Sequence, residues 1–176
     1  MTECATFLDR DGVLVETLVH DNRAYAVTTL QEFRLVSSAA ADVRRLREAG
    51  LAPIVVTNQP DVGRGVITPE TLAAMHERLA AVLPVLDILV CPHDASAACA
   101  CRKPKPGMLE AAAAKWGIDL RRSFMVGDRA SDVEAGRAVG CRTILIERPY
   151  SGRATADAHV GSLTEAVDVI LFRWSV

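Results

Sequence analysis

The chain has 176 residues, half of them apolar, and its 22 acidic and 20 basic side chains leave a formal charge of −2. That length suits one good core, so a single domain over residues 1–176 is expected, and scattered Arg and Lys exclude a polyanion-binding face and with it a nucleic-acid partner. No apolar run is long enough to span a bilayer, no basic start precedes an apolar segment, and the odd set of five cysteines argues against a disulfide framework; a cytoplasmic protein with no membrane partner is expected.

In chain order, Ala5–Leu8 reads as the end of a buried strand that runs straight into Asp9-Arg10-Asp11-Gly12. A buried strand exiting into carboxylates and a turn marks a site at the carboxyl edge of a sheet. Side chains two apart on an extended segment share a side, so Asp9 and Asp11 face one pocket. Carboxylates so close repel unless a cation or a shared proton neutralises them, and a hard ion such as Mg2+ is the natural partner. On these residues alone, a solvated acidic turn or a calcium loop fits the pattern as well. Residues 14–35 form an aperiodic polar loop placed to touch substrate, with His20, Asn22 and Arg23 as candidate contacts.

A helix is expected from Ser38 to Ala49, on the spacing of Val43, Leu46 and Ala49, with Gly50 as its stop. The unbroken apolar run Leu51–Val56 suits a strand buried on both faces. It exits into Thr57-Asn58-Gln59, whose hydroxyl and turn amides suit a phosphoryl oxygen or simply cap a turn. Arg64, between Gly63 and Gly65, is an anion contact or a flexible surface residue. Thr68 and Pro69 open a helix reaching Leu83, with Leu72, Met75, Leu79 and Val82 as its core stripe and His76 facing solvent.

A third strand, Leu86–Val90, leads into Cys91-Pro92-His93 and then Cys99-Ala100-Cys101. Three thiols and an imidazole in this loop, 91–101, suit tetrahedral Zn2+, and no open position is implied, so the site reads as structural; free thiols beside a surface histidine are the alternative. Arg102-Lys103-Pro104-Lys105 follows, its cations aimed by rigid prolines and the metal clip. A helix over Gly107–Trp116 stops at Gly117. Ser123–Val126 is a fourth strand ending in Gly127-Asp128-Arg129-Ala130-Ser131-Asp132. Asp128 stands where it can join Asp9 on a metal. Asp132 also reads as a helix N-terminal acid, and Ser131 with Glu134 as a capping box. Thr143–Ile146 is a fifth strand, residues 148–161 are polar without a motif, and Ser162 with Glu165 caps a last helix ending near Phe172.

Alternating strands and helices, with polar motifs after strands one, two and four, imply an α/β fold: a doubly wound, Rossmann-like parallel sheet with helices on both faces and no separate cap domain. At this point the chain resembles the haloacid dehalogenase-like (HAD) phosphohydrolases. The likeness covers nearly its whole length through Asp-x-Asp-Gly, the Thr after strand two, the Lys, and Gly-Asp-x-x-x-Asp in that order. Cys-Pro-His…Cys-x-Cys-Arg-Lys-Pro resembles the zinc-containing subgroup of D-glycero-D-manno-heptose-1,7-bisphosphate 7-phosphatases and histidinol-phosphate phosphatases.

The resemblance implies an Mg2+-dependent phosphomonoester hydrolase working through an aspartyl-phosphate. Asp9 would be the nucleophile and Asp11 the general acid and base. Asp9, the Asp11 carbonyl and Asp128 would hold Mg2+, with Asp132 behind them. Thr57, Asn58 and Lys103 would hold the phosphoryl oxygens, with Arg102, Arg129 and His20 as substrate contacts. Cys91, His93, Cys99 and Cys101 would hold Zn2+ away from the chemistry. The implied partner is a small phosphorylated substrate, taken by a monomer. Gly63-Arg64-Gly65 and Lys105–Met108 are similar to the heptose branch, which favours a sugar phosphate or bisphosphate. The short zinc loop is similar to the histidinol-phosphate branch, and Thr17–His20 departs from the heptose pattern. A regulatory phosphate-binding module is the non-enzyme alternative, disfavoured because Asp9 and Asp11 are both present.

Overall fold

The computed structural model describes residues 4–21 and 23–174; Asn22, one of the candidate contacts, lies outside them. Among the described residues the elements run β1 (Cys4–Leu8), β2 (Leu18–His20), β3 (Arg23–Tyr25), α1 (Ala39–Glu48), β4 (Leu51–Asn58), α2 (Pro60–Gly63), α3 (Pro69–Val82), β5 (Asp87–Cys91), α4 (Gly107–Trp116), β6 (Phe124–Gly127), α5 (Ala130–Ala138), β7 (Arg142–Ile146), β8 (Ala158–Val160) and α6 (Leu163–Asp168). No helix among them is long and apolar enough to cross a membrane.

Six strands form one sheet in the order β5-β4-β1-β6-β7-β8, each parallel to its neighbours. Unbroken apolar runs suit this arrangement, because helical crossovers cover both faces of a parallel sheet. On one face Leu8, Val55, Val126 and Ile144 pack with Leu46 of α1, Met75 and Leu79 of α3, and Val167 of α6. On the other, Phe7, Ile54, Val56 and Met125 pack with Leu109 and Ala112 of α4 and Ala135 of α5. Each such side chain contributes about 1.5–3 kcal/mol by leaving water. The chain winds outward from β1 in both directions, so the sheet's switch point falls beside β1. Ligands bind outside the carboxyl ends of the strands at such a point.

The structure departs from the sequence reading in several places. Residues 18–25 are not irregular: β2 and β3 pair antiparallel in a small hairpin, with Asp21 at φ +49°. Its three-residue strands are nearly all exposed, so they carry no alternation to read. The polar stretch after β7 hides a sixth strand, β8, which is equally short. Pro60 starts a single helical turn in a stretch for which no element was expected. α5 is capped by Arg129, two residues before Ser131, and its reach-back hydrogen bond runs from the Arg129 amide to Asp132 Oδ2 (3.0 Å) rather than through Ser131 and Glu134. Ala49 and Val82 lie outside the core stripes and are exposed. His76 is half-buried rather than facing solvent, its ring nitrogen 3.2 Å from Arg10 Nη1.

Candidate active site

β1, β4 and β6 are adjacent, so the residues following their tips meet at one edge of the sheet. Oxygens of Asp9, Asp128 and Asp132 lie within 4.8 Å of one another. Backbone shape makes this approach possible. Gly12 has φ +84°, and a Cβ there would sit 1.9 Å from Asp128 Oδ2; a Cβ on Gly127 would sit 2.2 Å from Asp132 Cβ. Side chains at either position would displace a carboxylate.

One cation faces these acids. Lys103 Nζ is 2.9 Å from Asp9 Oδ1, 2.7 Å from Asp132 Oδ1 and 2.8 Å from the Val56 carbonyl. Burial works against its charge, but Asp132 and Asp9 outweigh that and hold its pKa above the ordinary lysine value. Asn58 braces the lysine backbone from both sides: its Nδ2 donates to the Lys103 carbonyl (3.0 Å) and its Oδ1 accepts from the Lys103 amide (3.1 Å). The acids still carry the excess. Burial first, then Asp132, Asp128 and Asp11, push the Asp9 carboxyl up to about 8 despite Lys103. Burial and Asp132 raise Asp128 to about 6, against a hydrogen bond from Tyr150.

These residues fit a hard divalent cation. With all three carboxylates ionised, one ammonium leaves two negative charges for a cation to neutralise. Asp128 Oδ1 is buried with no hydrogen-bond partner, an arrangement that costs free energy unless a cation faces the oxygen.

Asp11 is held differently. Arg10, wholly buried, donates from Nε (3.1 Å) and Nη2 (3.0 Å) to Asp11 Oδ1 and from Nη2 to Oδ2 (2.9 Å), while Gln59 Nε2 donates to Oδ2 (2.7 Å). Arg10 also lies over the Phe33 ring and meets the ring nitrogen of His76. Burial and then Arg10 hold His76 down at about 4, so it is neutral near pH 7 and accepts from the guanidinium.

A cleft of about 560 Å³ opens over the acids. Asp9, Asp11, Asp132 and Lys103 form part of its lining, with Arg64, Arg102 and Arg129 also on its wall.

Beside it, the Cys91, His93, Cys99 and Cys101 donor atoms lie within 4.8 Å of one another. Cys91 Sγ is 3.0 Å from Cys101 Sγ and 3.7 Å from Cys99 Sγ, and His93 Nδ1 is 3.3 Å from Cys101 Sγ, so the thiols are close but unbonded. Burial opposes the Cys99 thiolate, but the Arg102 amide and the neighbouring donors outweigh it and bring the thiol down to about 6. Three cysteine sulfurs and one imidazole nitrogen within reach of one another fit tetrahedral Zn2+. The cluster ends two residues before Lys103, and Arg102 Nη1 donates to the His93 carbonyl (3.0 Å). The Arg102–His93 bond on one side and the Asn58 brace on the other thus flank the lysine's backbone.

A family profile described as HAD-hydrolase-like matches residues 100–168. The D-glycero-beta-D-manno-heptose-1,7-bisphosphate 7-phosphatase of Pseudomonas putida is 40% identical over 166 residues, covering 92% of this chain and 91% of that one. The chain belongs to the haloacid dehalogenase-like hydrolases. The crystal structure of D,D-heptose 1,7-bisphosphate phosphatase from B. bronchiseptica, complexed with magnesium and phosphate, superposes with a TM-score of 0.83 at 28% identity, covering 97% of this chain and 99% of that one. The histidine biosynthesis bifunctional protein HisB of Campylobacter jejuni subsp. doylei is 33% identical over 147 residues, 81% of this chain but 41% of its own length. With such relatives, this HAD-like protein is a phosphoric monoester hydrolase.

Within the HAD-like site, the structure brings Asp9, Asp11, Asn58, Arg102, Lys103, Arg129 and Asp132 to one cleft. Asp128 lies beneath it, wholly buried against Asp9 and Asp132. Three expected contacts are placed elsewhere. Thr57 is buried, its hydroxyl oxygen taking a hydrogen bond from Gln59 (2.9 Å), and it is not among the residues lining the cleft. His20 is exposed on β2, and neither it nor Arg23 lines the cleft; Thr17, Ala24 and Tyr25 from that region do. Sequence reasoning missed Arg10, Gln59, His76 and Tyr150. No local pattern marks them, since each takes its place by a contact made across the fold. The glycines of Gly63-Arg64-Gly65 were the one available signal for Arg64, which does line the cleft.

Proposed function

We propose that the protein is an Mg2+-dependent phosphatase that removes the 7-phosphate of D-glycero-D-manno-heptose 1,7-bisphosphate through an aspartyl-phosphate. One observation supports this above the rest: a floor of three carboxylates and one lysine lies under three arginines in a single cleft. The floor suits a phosphoryl group in transfer. The arginines suit a second phosphate on the same molecule, by bidentate hydrogen bonding.

Asp9, Asp128 and the Asp11 carbonyl would hold Mg2+, with Asp132 behind them; bound there, the ion supplies charge neutralisation for the phosphoryl oxygens. Asp9 Oδ1 already takes the Arg10 amide (2.8 Å) and Lys103, which leaves Oδ2 to bond phosphorus. As that bond forms, the bond from phosphorus to the sugar oxygen breaks, and Asp11 gives its proton to the leaving alkoxide. Asp11 then takes a proton from water, whose oxygen attacks phosphorus, and the bond to Asp9 breaks to release phosphate. Arg10 and Gln59 orient Asp11 for both steps. Lys103 neutralises charge, its ammonium being ion-paired with Asp9 and Asp132 and bonded to the Val56 carbonyl. Asn58 holds it in place, and Arg64, Arg102 and Arg129 take the distal phosphate. Cys91, His93, Cys99 and Cys101 would hold Zn2+, which would keep the Arg102–Lys103 segment in position.

Phosphate release from the heptose bisphosphate, the corresponding 7-monophosphate and histidinol phosphate tests this, in wild type and Asp9→Asn, with and without Mg2+. The bisphosphate should show the highest kcat/KM and the Asn variant no turnover. Equal release by the two proteins rules out the nucleophile. A preference for histidinol phosphate moves the enzyme to the other zinc-containing branch, which the short Cys91–Cys99 loop also resembles.

A further inference from the structure

We propose that Tyr150 is a positioning residue for Asp128: its hydroxyl fixes the plane in which that carboxylate presents its free oxygen to the acid cluster, and it links the carboxylate to Thr17 on the cleft wall. The inference rests on Asp128 being a metal ligand, as proposed above. Tyr150 Oη donates to Asp128 Oδ2 at 2.8 Å. A carboxylate accepts only, so the phenol proton is committed there, and the Thr17 hydroxyl at 3.1 Å is left to donate to the phenol oxygen. The result is a directed chain from Thr17, which lines the cleft, through Tyr150 to Asp128.

The other oxygen, Oδ1, is buried and has no hydrogen-bond partner. A half-turn of the carboxylate only exchanges two equivalent oxygens, but a partial rotation would carry Oδ2 away from Tyr150 and break that bond. Gly12 closes the remaining side, because a Cβ there would meet Asp128 Oδ2 and come within 3.0 Å of the Tyr150 hydroxyl. Little room is left for a different arrangement.

Tyr150 is built into the fold, although it lies in a polar stretch with no motif. The turn that carries it is closed by Ser151. The Ser151 amide donates to the Arg148 carbonyl (3.0 Å), the Ser151 hydroxyl accepts from the Arg148 amide (2.8 Å), and the Ser151 carbonyl accepts from the Ala130 amide at the start of α5 (3.2 Å). The Arg129 guanidinium lies 5.5 Å from the centre of the tyrosine ring. The ring therefore sits between a cleft arginine and the buried acid. Groups that hydrogen-bond a ligating carboxylate orient it, and losing one commonly weakens metal binding by about 10–100-fold.

The test is direct metal binding, with Mn2+ as the probe, followed by electron paramagnetic resonance on zinc-replete protein. Tyr150→Phe keeps the ring over Arg129 and removes only the hydroxyl. It should weaken Mn2+ binding about tenfold, and activity should recover toward the wild-type kcat at saturating metal. Thr17→Val should weaken binding less, because the tyrosine bond remains. Asp128→Asn serves as the reference and should lose Mn2+ binding. If Tyr150→Phe binds Mn2+ as wild type does while Asp128→Asn does not, the role given to Tyr150 is wrong and the metal reading stands. If Asp128→Asn also binds normally, the metal reading fails and takes this inference with it.

Discussion

Substituting Asp9 by Asn in magnesium-free protein isolates the electrostatic strain of the acid cluster. Burial, and then the neighbouring acids Asp132, Asp128 and Asp11, push Asp9 up to about 8 against the pull of Lys103. An acid whose folded pKa is raised holds its proton more tightly in the folded state. Its contribution is fully present below the unfolded pKa, at about 4, and is lost as pH rises through about 8. Each pH unit inside that window costs about 1.4 kcal/mol, so this one group removes about 3 kcal/mol between about pH 5.5 and 7.5. The Asn variant has no proton to lose, and its amide oxygen can still accept from the Arg10 amide and Lys103, which both meet Oδ1. Urea unfolding of both proteins at the two pH values gives the measurement. Taking the difference between proteins cancels the titrating groups that do not touch Asp9, His76 and the thiols included. Magnesium is removed by dialysis, since a chelator would strip zinc as well. The variant's advantage should grow by about 3 kcal/mol from the lower pH to the higher, and saturating Mg2+ should abolish it by binding the wild-type carboxylate. A stability difference that is the same at both pH values would refute the account of Asp9 as a buried, strained acid.

Three further outcomes follow from the same geometry. Lys103→Met removes the ammonium from Asp9 and Asp132 and should cost about 3–5 kcal/mol in unfolding assays and roughly a hundredfold or more in turnover; Lys105→Ala removes only an exposed bond to the Cys99 carbonyl (2.7 Å) and should cost about 1 kcal/mol with little change in kcat. Gly12→Ala forces a side chain onto Asp128 at positive φ, and kcat should fall roughly a hundredfold while far-UV circular dichroism stays native; wild-type kcat would mean the carboxylate has room to move. Elemental analysis should find about one zinc per chain, and its chelation should lower the melting temperature, with Cys101→Ser behaving like the chelated protein; unchanged melting would remove the clip from the fold's stability.

The residues proposed for phosphoryl transfer stand out in the sequence because they sit where local patterns change. Asp9 and Asp128 follow buried strands, whose unbroken apolar runs are visible in any short window, and three thiols and an imidazole crowd into one loop. What local patterns could not contain is the adjacency of β1 with β4 and β6, which sets Asp9, Asn58 and Asp128 at one edge of the sheet. The inner shell lay beyond them as well. Arg10 meets His76 from 66 positions away, and Tyr150 reaches Asp128 across 22 and Thr17 across 133. A hydrogen bond between distant segments has no period and no spacing, so nothing in either segment announces it. The chain by itself determined which acids stand at strand ends and which thiols cluster. Tertiary packing alone decided how those acids are turned, which cation faces them, and which buried side chains hold them there, because contacts between remote segments exist only once the sheet has assembled.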